Sequence, residues 1–305
     1  MTILITGSTG LLGQALVKRL LRPYQVVGVS RHPPPGAGTA WHRVCDLTDP
    51  TATQQMIRRV KPDVVIHTQA LSDVDRCELE HEHAEQMNVQ TVDHLCHACQ
   101  HRAPLLIVLS TDYVFDGSKG SPYVESDEPR PLSVYGNSKL AGERIALRYP
   151  RAVIVRSSTL FGPGRMNFCD AVVERCRQGQ SIEAFIDQTT SPTYTEDLAA
   201  ALERLMVVMT TRPLKGLPRI YHITNAGGCS RVQFAQHVAG LLGRSASLIR
   251  PIQMRDQHRP ATRPAHSALT SEHVFRLLGK PRPWHVAVNA YLANYMRPEK
   301  KVTKR

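Results

Sequence analysis

The sequence predicts an α/β protein built on a doubly wound parallel sheet, with a smaller lobe at the C-terminal end. Three observations carry this reading. Short apolar runs rich in β-branched residues alternate with stretches of helical periodicity up to about Gly162. A glycine turn joins the first apolar run to the first helical stretch. After Gly162-Pro163-Gly164 the alternation becomes irregular.

The elements follow in order. Thr2-Ile3-Leu4-Ile5-Thr6 has the composition of a buried parallel strand. Gly7-Ser8-Thr9-Gly10-Leu11-Leu12-Gly13 follows at once, and residues 14–21 carry apolar side chains at helical spacing. Strand, glycine turn and helix form the context of a dinucleotide-binding fingerprint in a Rossmann sheet. Gly7 permits the tight turn, Gly10 lets backbone approach a pyrophosphate, and Gly13 lets the helix pack on the strand. The free N–H groups at the helix start then face the phosphates.

Residues 25–30 form the second strand, which ends in Ser30-Arg31-His32. An NAD-selective site usually has an acid here, to bond the ribose 2′-hydroxyl. A guanidinium suits a 2′-phosphate instead, so Arg31 favours NADP(H) over NAD(H). A third strand is expected over 41–45, leaving Asp46 and Leu47 to approach the adenine. Residues 51–60 read as a helix, 63–67 as a strand, 84–101 as a helix and 105–109 as a fully buried strand. A helix over 138–147 continues from Tyr135, and 152–156 is the next strand.

The expected organisation is a dinucleotide-binding domain over 1–162 with a segment near 195–225 returning to the sheet. A substrate-binding lobe then spans 163–194 and 226–296. Residues 297–305 form a basic, disordered tail. Pro33-Pro34-Pro35 and residues 259–264 read as loops.

Composition bounds the function. The chain has 305 residues, with 42% hydrophobic and 21% charged, ordinary values for a globular enzyme. No apolar run approaches membrane-spanning length, and the first strand starts at residue 2, which leaves no room for a leader. Seven scattered cysteines suit reduced thiols, so a cytoplasmic location is expected. The net charge of +12 is spread along the chain without a nucleic-acid-binding motif. It points to anions of another kind: a phosphorylated cofactor and a diphosphate-bearing substrate. The run His94-Leu95-Cys96-His97-Ala98-Cys99-Gln100-His101 offers zinc-type groups, but it sits in a crossover helix without a second cysteine pair. No metal site is therefore expected.

Catalytic candidates converge on the carboxyl ends of the strands. The strand ending at Leu109 delivers the Thr111 hydroxyl and the Asp112 carboxylate. Tyr135 and Lys139, four residues apart, share one helix face. An ammonium there is expected to lower the phenol pKa and prepare Tyr135 for proton transfer.

Taken together, Gly7-x-x-Gly10-x-x-Gly13, the string Ser110-Thr111-Asp112-Tyr113-Val114-Phe115-Asp116-Gly117 and Tyr135-x-x-x-Lys139 resemble the extended short-chain dehydrogenase/reductases. More narrowly, the chain resembles the dTDP-4-dehydrorhamnose reductase family. The narrower likeness rests on Asp73-Val74-Asp75 with Glu78, Asn88-Val89, Ser191-Pro192-Thr193-Tyr194 with Asp197, Tyr221-His222, and Arg263-Pro264 with Ser267 and Leu269.

The resemblance implies hydride transfer from NADPH to the C4 ketone of a nucleotide-linked deoxysugar. Tyr135 would then donate the proton and Lys139 would hold the nicotinamide ribose. Thr111 would bond the carbonyl oxygen, and Asp112 would help to position the sugar. Thr68, Gln69 and Ala70 would line the cofactor crevice, and a homodimer would be compatible. Thr159 stands where the family carries Trp, His67 where it carries Asn, and Thr190 where it carries Gly. These departures leave the sugar open. Two alternatives also stay open: a non-catalytic NADP-binding subunit resembling the β subunit of methionine adenosyltransferase, and a nucleotide-sugar epimerase.

Overall fold

The computed structural model describes residues 1–34 and 41–295. Pro35 of the proline-rich loop and the basic tail 297–305 lie outside the described residues. The central sheet contains β1 (Thr2–Thr6), β2 (Gln25–Ser30), β3 (His42–Val44), β4 (Val64–His67), β5 (Leu105–Thr111), β6 (Ala152–Ser157) and β7 (Ile220–His222). All seven strands are parallel, in the order β7-β6-β5-β4-β1-β2-β3. The chain winds outward from β1 to β3, then returns to place β4 on the other side of β1. The switch point between β1 and β4 opens a crevice at their carboxyl ends.

Both faces of the sheet are covered, which is why its strands read as continuous apolar runs. Ile3 and Ile5 meet one core with Leu16 of α1 (Leu11–Leu20) and Leu202 of the helix Thr195–Thr211. Leu4 points to the opposite core, with Ile57 of α2 (Pro50–Val60) and Leu95 of α3 (Thr91–Cys99). Asp49 starts α2 by accepting the Thr51 and Ala52 N–H groups. Ser133 does the same for α4 (Val134–Ala146) through Gly136 N.

The helix expected over 84–101 is interrupted. His81–Glu85 passes through a π turn, Gln86–Gln90, before α3 begins. The turn places Asn88 inside the protein, where its side chain accepts from Leu71 N (2.8 Å) and donates to Leu71 O (3.1 Å) and Ser138 Oγ (3.0 Å). Those three bonds compensate for the locally irregular ladder and tie the crevice wall to α4.

A separate core gathers Phe161, Val172, Tyr194, Phe234 and Tyr291 among the helices Phe168–Arg177, Arg231–Leu241 and Trp284–Tyr295. Val274, which the sequence places in the second lobe, packs instead into the core of the sheet. Its helix, Glu272–Leu278, reaches back across the molecule.

Packing is very tight at the glycine turn. A Cβ on Gly13 would sit 2.1 Å from Gly7 O and 2.8 Å from Ser8 Cα, backbone atoms that cannot rotate away. Gly13→Ala should therefore lower stability by about 1–3 kcal/mol, the usual range for overpacking. An unchanged denaturant midpoint would contradict this packing.

Candidate active site

β1 runs directly into Gly7, whose φ of +65° makes the turn. Gly10 N donates to Gly7 O at 2.8 Å, and Gly10 begins α1 with no side-chain cap. The first-turn N–H groups, left over by any α-helix, are thus free for an anion. Behind the turn, Thr68 Oγ1 donates to Thr6 O at 2.7 Å. Three buried polar atoms at this switch point have no hydrogen-bond partner: Ser8 Oγ, His67 Nε2 and Gln69 Nε2. Uncapped amides, a glycine cradle and buried polar atoms without partners fit a dinucleotide laid across the crevice.

The remaining cofactor candidates divide. Thr9, Leu11 and Ala70 are half-buried around the turn, whereas the Leu12 side chain belongs to the core. Arg31 is exposed at the end of β2. Ser30 Oγ is already engaged, with His32 O at 2.6 Å and His42 Nε2 at 2.8 Å. Asp46 is exposed; burial pushes its carboxyl up, but two hydrogen bonds from Thr48 and the charge of Arg31 bring it below the ordinary value. Leu47 departs from expectation. Its side chain is 1% exposed and packs with Leu4 and Ile57. Its carbonyl is taken by Thr53 and His94. The hydrophobic core claims it more strongly than an open pocket could.

Thr111, Tyr135 and Lys139 come together at the end of β5. The Thr111 hydroxyl lies close enough to the Tyr135 phenol to lower its pKa. The Lys139 ammonium, 5% exposed, donates to Leu109 O at 2.7 Å. Burial pulls its pKa down to about 8 against the opposing charge of Glu143. Tyr135 departs from expectation. Burial pushes its phenol above the ordinary value, the neighbouring Thr111 hydroxyl offsets only part of this, and the Asp112 charge adds to it. The lysine does not reverse the trend, because its ammonium is directed at a backbone carbonyl.

Asp112 also sits differently from expectation. It is 2% exposed and lies beneath Thr111. Its Oδ2 accepts from Ser158 Oγ (2.8 Å) and Ser267 Oγ (2.5 Å), and its Oδ1 from Thr111 Oγ1 (3.2 Å). Burial raises its pKa despite these three donors. A carboxylate so enclosed orients Thr111 and is closed to a sugar.

Sequence reasoning missed several neighbours. The Tyr113 ring stands edge-on to Tyr135 at 5.8 Å, and Gln188 Nε2 donates to the Tyr113 hydroxyl at 3.1 Å. Asp75 receives Arg263 through two bonds of 3.0 and 2.7 Å, joining the sheet side of the crevice to the opposite wall. Arg231 stacks on Phe168 at 4.8 Å and feels the charges of Tyr113 and Asp112. Asp75, Tyr113, Arg263 and Ser267 lie in motifs quoted above, so their signal was present; Gln188 and Arg231 carry none.

In the cysteine–histidine run, Cys96 and Cys99 are buried, and His94 and His97 each place Nδ1 on a backbone carbonyl. Among the described residues, no three His, Cys, Asp or Glu side chains gather as metal ligands, and no helix is long and apolar enough to cross a membrane.

Comparison with known proteins agrees with this geometry. The dTDP-4-dehydrorhamnose reductase of Mycobacterium tuberculosis is 35% identical over 95% of this chain and 92% of its own. A probable dTDP-4,6-dihydroxy-2-methyloxan-3-one 4-ketoreductase of Streptomyces antibioticus is 32% identical over 99% of this chain and 98% of its own. Among solved structures, a dTDP-4-dehydrorhamnose reductase from Bacillus anthracis in complex with NADP superposes with a TM-score of 0.86 at 27% identity, covering 96% of this chain and 99% of that one. The family described as RmlD substrate binding domain matches residues 1–297, and the chain belongs to this family of dTDP-4-dehydrorhamnose reductases.

Proposed function

We propose that the protein reduces the 4-keto group of a nucleotide-linked deoxysugar with NADPH. The observation that carries this reading is that buried Thr111 ends the strand whose Leu109 carbonyl holds the Lys139 ammonium, with the Thr111 hydroxyl acting on the Tyr135 phenol, at strand ends that adjoin an uncapped glycine turn. NADPH, when bound, supplies the hydride. The chain's own residues do the rest. On substrate binding the Thr111 proton would turn from Asp112 Oδ1 to the ketone oxygen, and Tyr135 would pass its own proton to that oxygen as charge develops there. A phenol held above its ordinary pKa stays protonated at neutral pH and so remains a donor. Lys139 would stabilise the resulting phenolate and hold the ribose. Asp112, fixed by Ser158 and Ser267, would keep the Thr111 hydroxyl in place.

Arg31 would take the 2′-phosphate, giving a preference for NADP(H) over NAD(H). Across the crevice, the Arg231 guanidinium has no carboxylate partner among the described residues. Its charge, with that of Arg259 nearby, suits the substrate diphosphate. All seven cysteines are buried and free, which agrees with a reducing cytoplasmic setting.

Tyr135→Phe should lower turnover by roughly 10²–10⁴-fold, the usual contribution of a general acid, while NADPH affinity changes only a few-fold. NADPH oxidation followed by absorbance with a panel of 4-keto sugar nucleotides checks this, and retained turnover would remove Tyr135 from the proton path. Arg31→Asp should weaken NADPH binding far more than NADH binding. Equal losses in calorimetric titrations with the two cofactors would refute the 2′-phosphate contact.

A further inference from the structure

α4 presents three functional groups on one face. Tyr135, Lys139 and Glu143 follow at intervals of four residues, which stacks them along the helix. Glu143 is 2% exposed and does not reach solvent. Its Oε1 accepts from Arg156 Nε at 2.9 Å and its Oε2 from Arg156 Nη2 at 2.7 Å. Arg156 is itself 1% exposed, lies over the Phe115 ring at 5.2 Å and leaves Nη1 without a hydrogen-bond partner. The interior beneath the crevice therefore holds two cations, Lys139 and Arg156, around one carboxylate.

Such an arrangement is poorly explained by stability alone. Buried ion pairs are often replaceable by well-packed apolar residues at no loss, because desolvation consumes the Coulombic gain. The position of Glu143, one turn from Lys139, gives a different reason for keeping it. We propose that Glu143 and Arg156 are positioning residues for Lys139: Glu143 is the counter-charge that keeps this lysine an ammonium, and Arg156 limits how much of that counter-charge the lysine feels.

The proposal rests on the reductase reading above only for its catalytic consequence. Among the described residues, Glu143, Cys77 and His67 interact electrostatically with Lys139, and Tyr135 lies one turn before it on the same helix. Glu143 and Tyr135 lie on its own helix, Cys77 on the helix Val74–Leu79 and His67 at the end of β4. His67 is held neutral, its pKa pushed to about 3 by burial and by Lys139. Burial pushes the Cys77 thiol up to about 11, so it too is neutral near pH 7. Glu143 is thus the fixed negative charge on Lys139. Removing it leaves two cations in a dry interior, and only the lysine can shed its proton there, since a guanidinium does not. Removing Arg156 instead leaves the carboxylate to Lys139 alone.

The two changes should therefore act in opposite directions. Lys139 is charged below its pKa and loses its charge as pH rises. Glu143→Gln should lower that pKa by about 1–3 units, the range for losing a close opposite charge, and Arg156→Met should raise it. The test is a titration of the Lys139 side chain by NMR in the cofactor-free, lysine-labelled full-length protein, with Lys139→Met assigning the signal. Arg156→Lys, which keeps the charge, should titrate near the wild type. Glu143→Asp should recover much of the loss, which keeps the test usable if Glu143→Gln does not fold. Opposite shifts support the proposal. Shifts in one direction, or none, overturn it and leave the pair a structural tie. The basic limb of the pH–rate profile for NADPH oxidation should follow the same order. If the NMR shifts are opposite while the rates ignore them, the coupling stands and the catalytic role of Lys139 fails.

Discussion

Asp112 is the point on which the two sides of the molecule are joined. A carboxylate removed from water loses several kcal/mol of solvation unless donors replace it. Here the donors come from three separated segments: Thr111 at the end of β5, Ser158 after β6, and Ser267 from the far wall of the crevice. Ser158 also accepts the Ser191 N–H, and Ser191 exchanges two bonds with Leu269. If the segment containing Ser267 drifts from the sheet, Asp112 loses one of its three donors inside a dry site. Thr111 inherits its place from this arrangement, and the position of Tyr135 against Thr111 follows from it.

The same low-dielectric interior sets the character of every titrating group in the crevice. It holds His67 neutral, brings Lys139 close to the physiological range and keeps the Tyr135 proton in place. A phenol that keeps its proton until a stronger base forms beside it suits reduction of a ketone better than one ionised in advance. The developing alkoxide is that base, and transfer then runs downhill. In the proposed reduction Lys139 would act after the proton has moved, as the charge that makes the phenolate tolerable in a site where water offers little help.

Much of this architecture was legible because it depends on local pattern. The buried strands, the glycine turn and the Tyr135–Lys139 spacing each follow from a few adjacent residues. What could not be read depends on partners far away in the chain. Asn88 breaks a helix because Leu71 and Ser138 need its amide, separations of 17 and 50 residues. Asp112 is enclosed because Ser267 arrives from 155 positions downstream. Leu47, expected by its place after a strand to approach the adenine ring, buries its side chain with Leu4 and Ile57 instead. The direction of the Tyr135 shift was misjudged for a related reason: spacing shows which charges are near, whereas burial is a property of the whole fold.

Thr159 carries backbone strain beside the Asp112 support. It adopts φ +39°, a left-handed conformation that is unfavourable for a β-branched residue and costs of order 1–3 kcal/mol. The strain persists because the surroundings hold it. The Thr159 hydroxyl donates to Thr190 Oγ1 at 2.9 Å, its carbonyl accepts from Thr193 N at 3.0 Å, and its neighbour Ser158 is fixed on Asp112. The Thr159–Thr190 hydroxyl pair therefore makes a polar, hydrogen-bonded wall one residue from the Asp112 support.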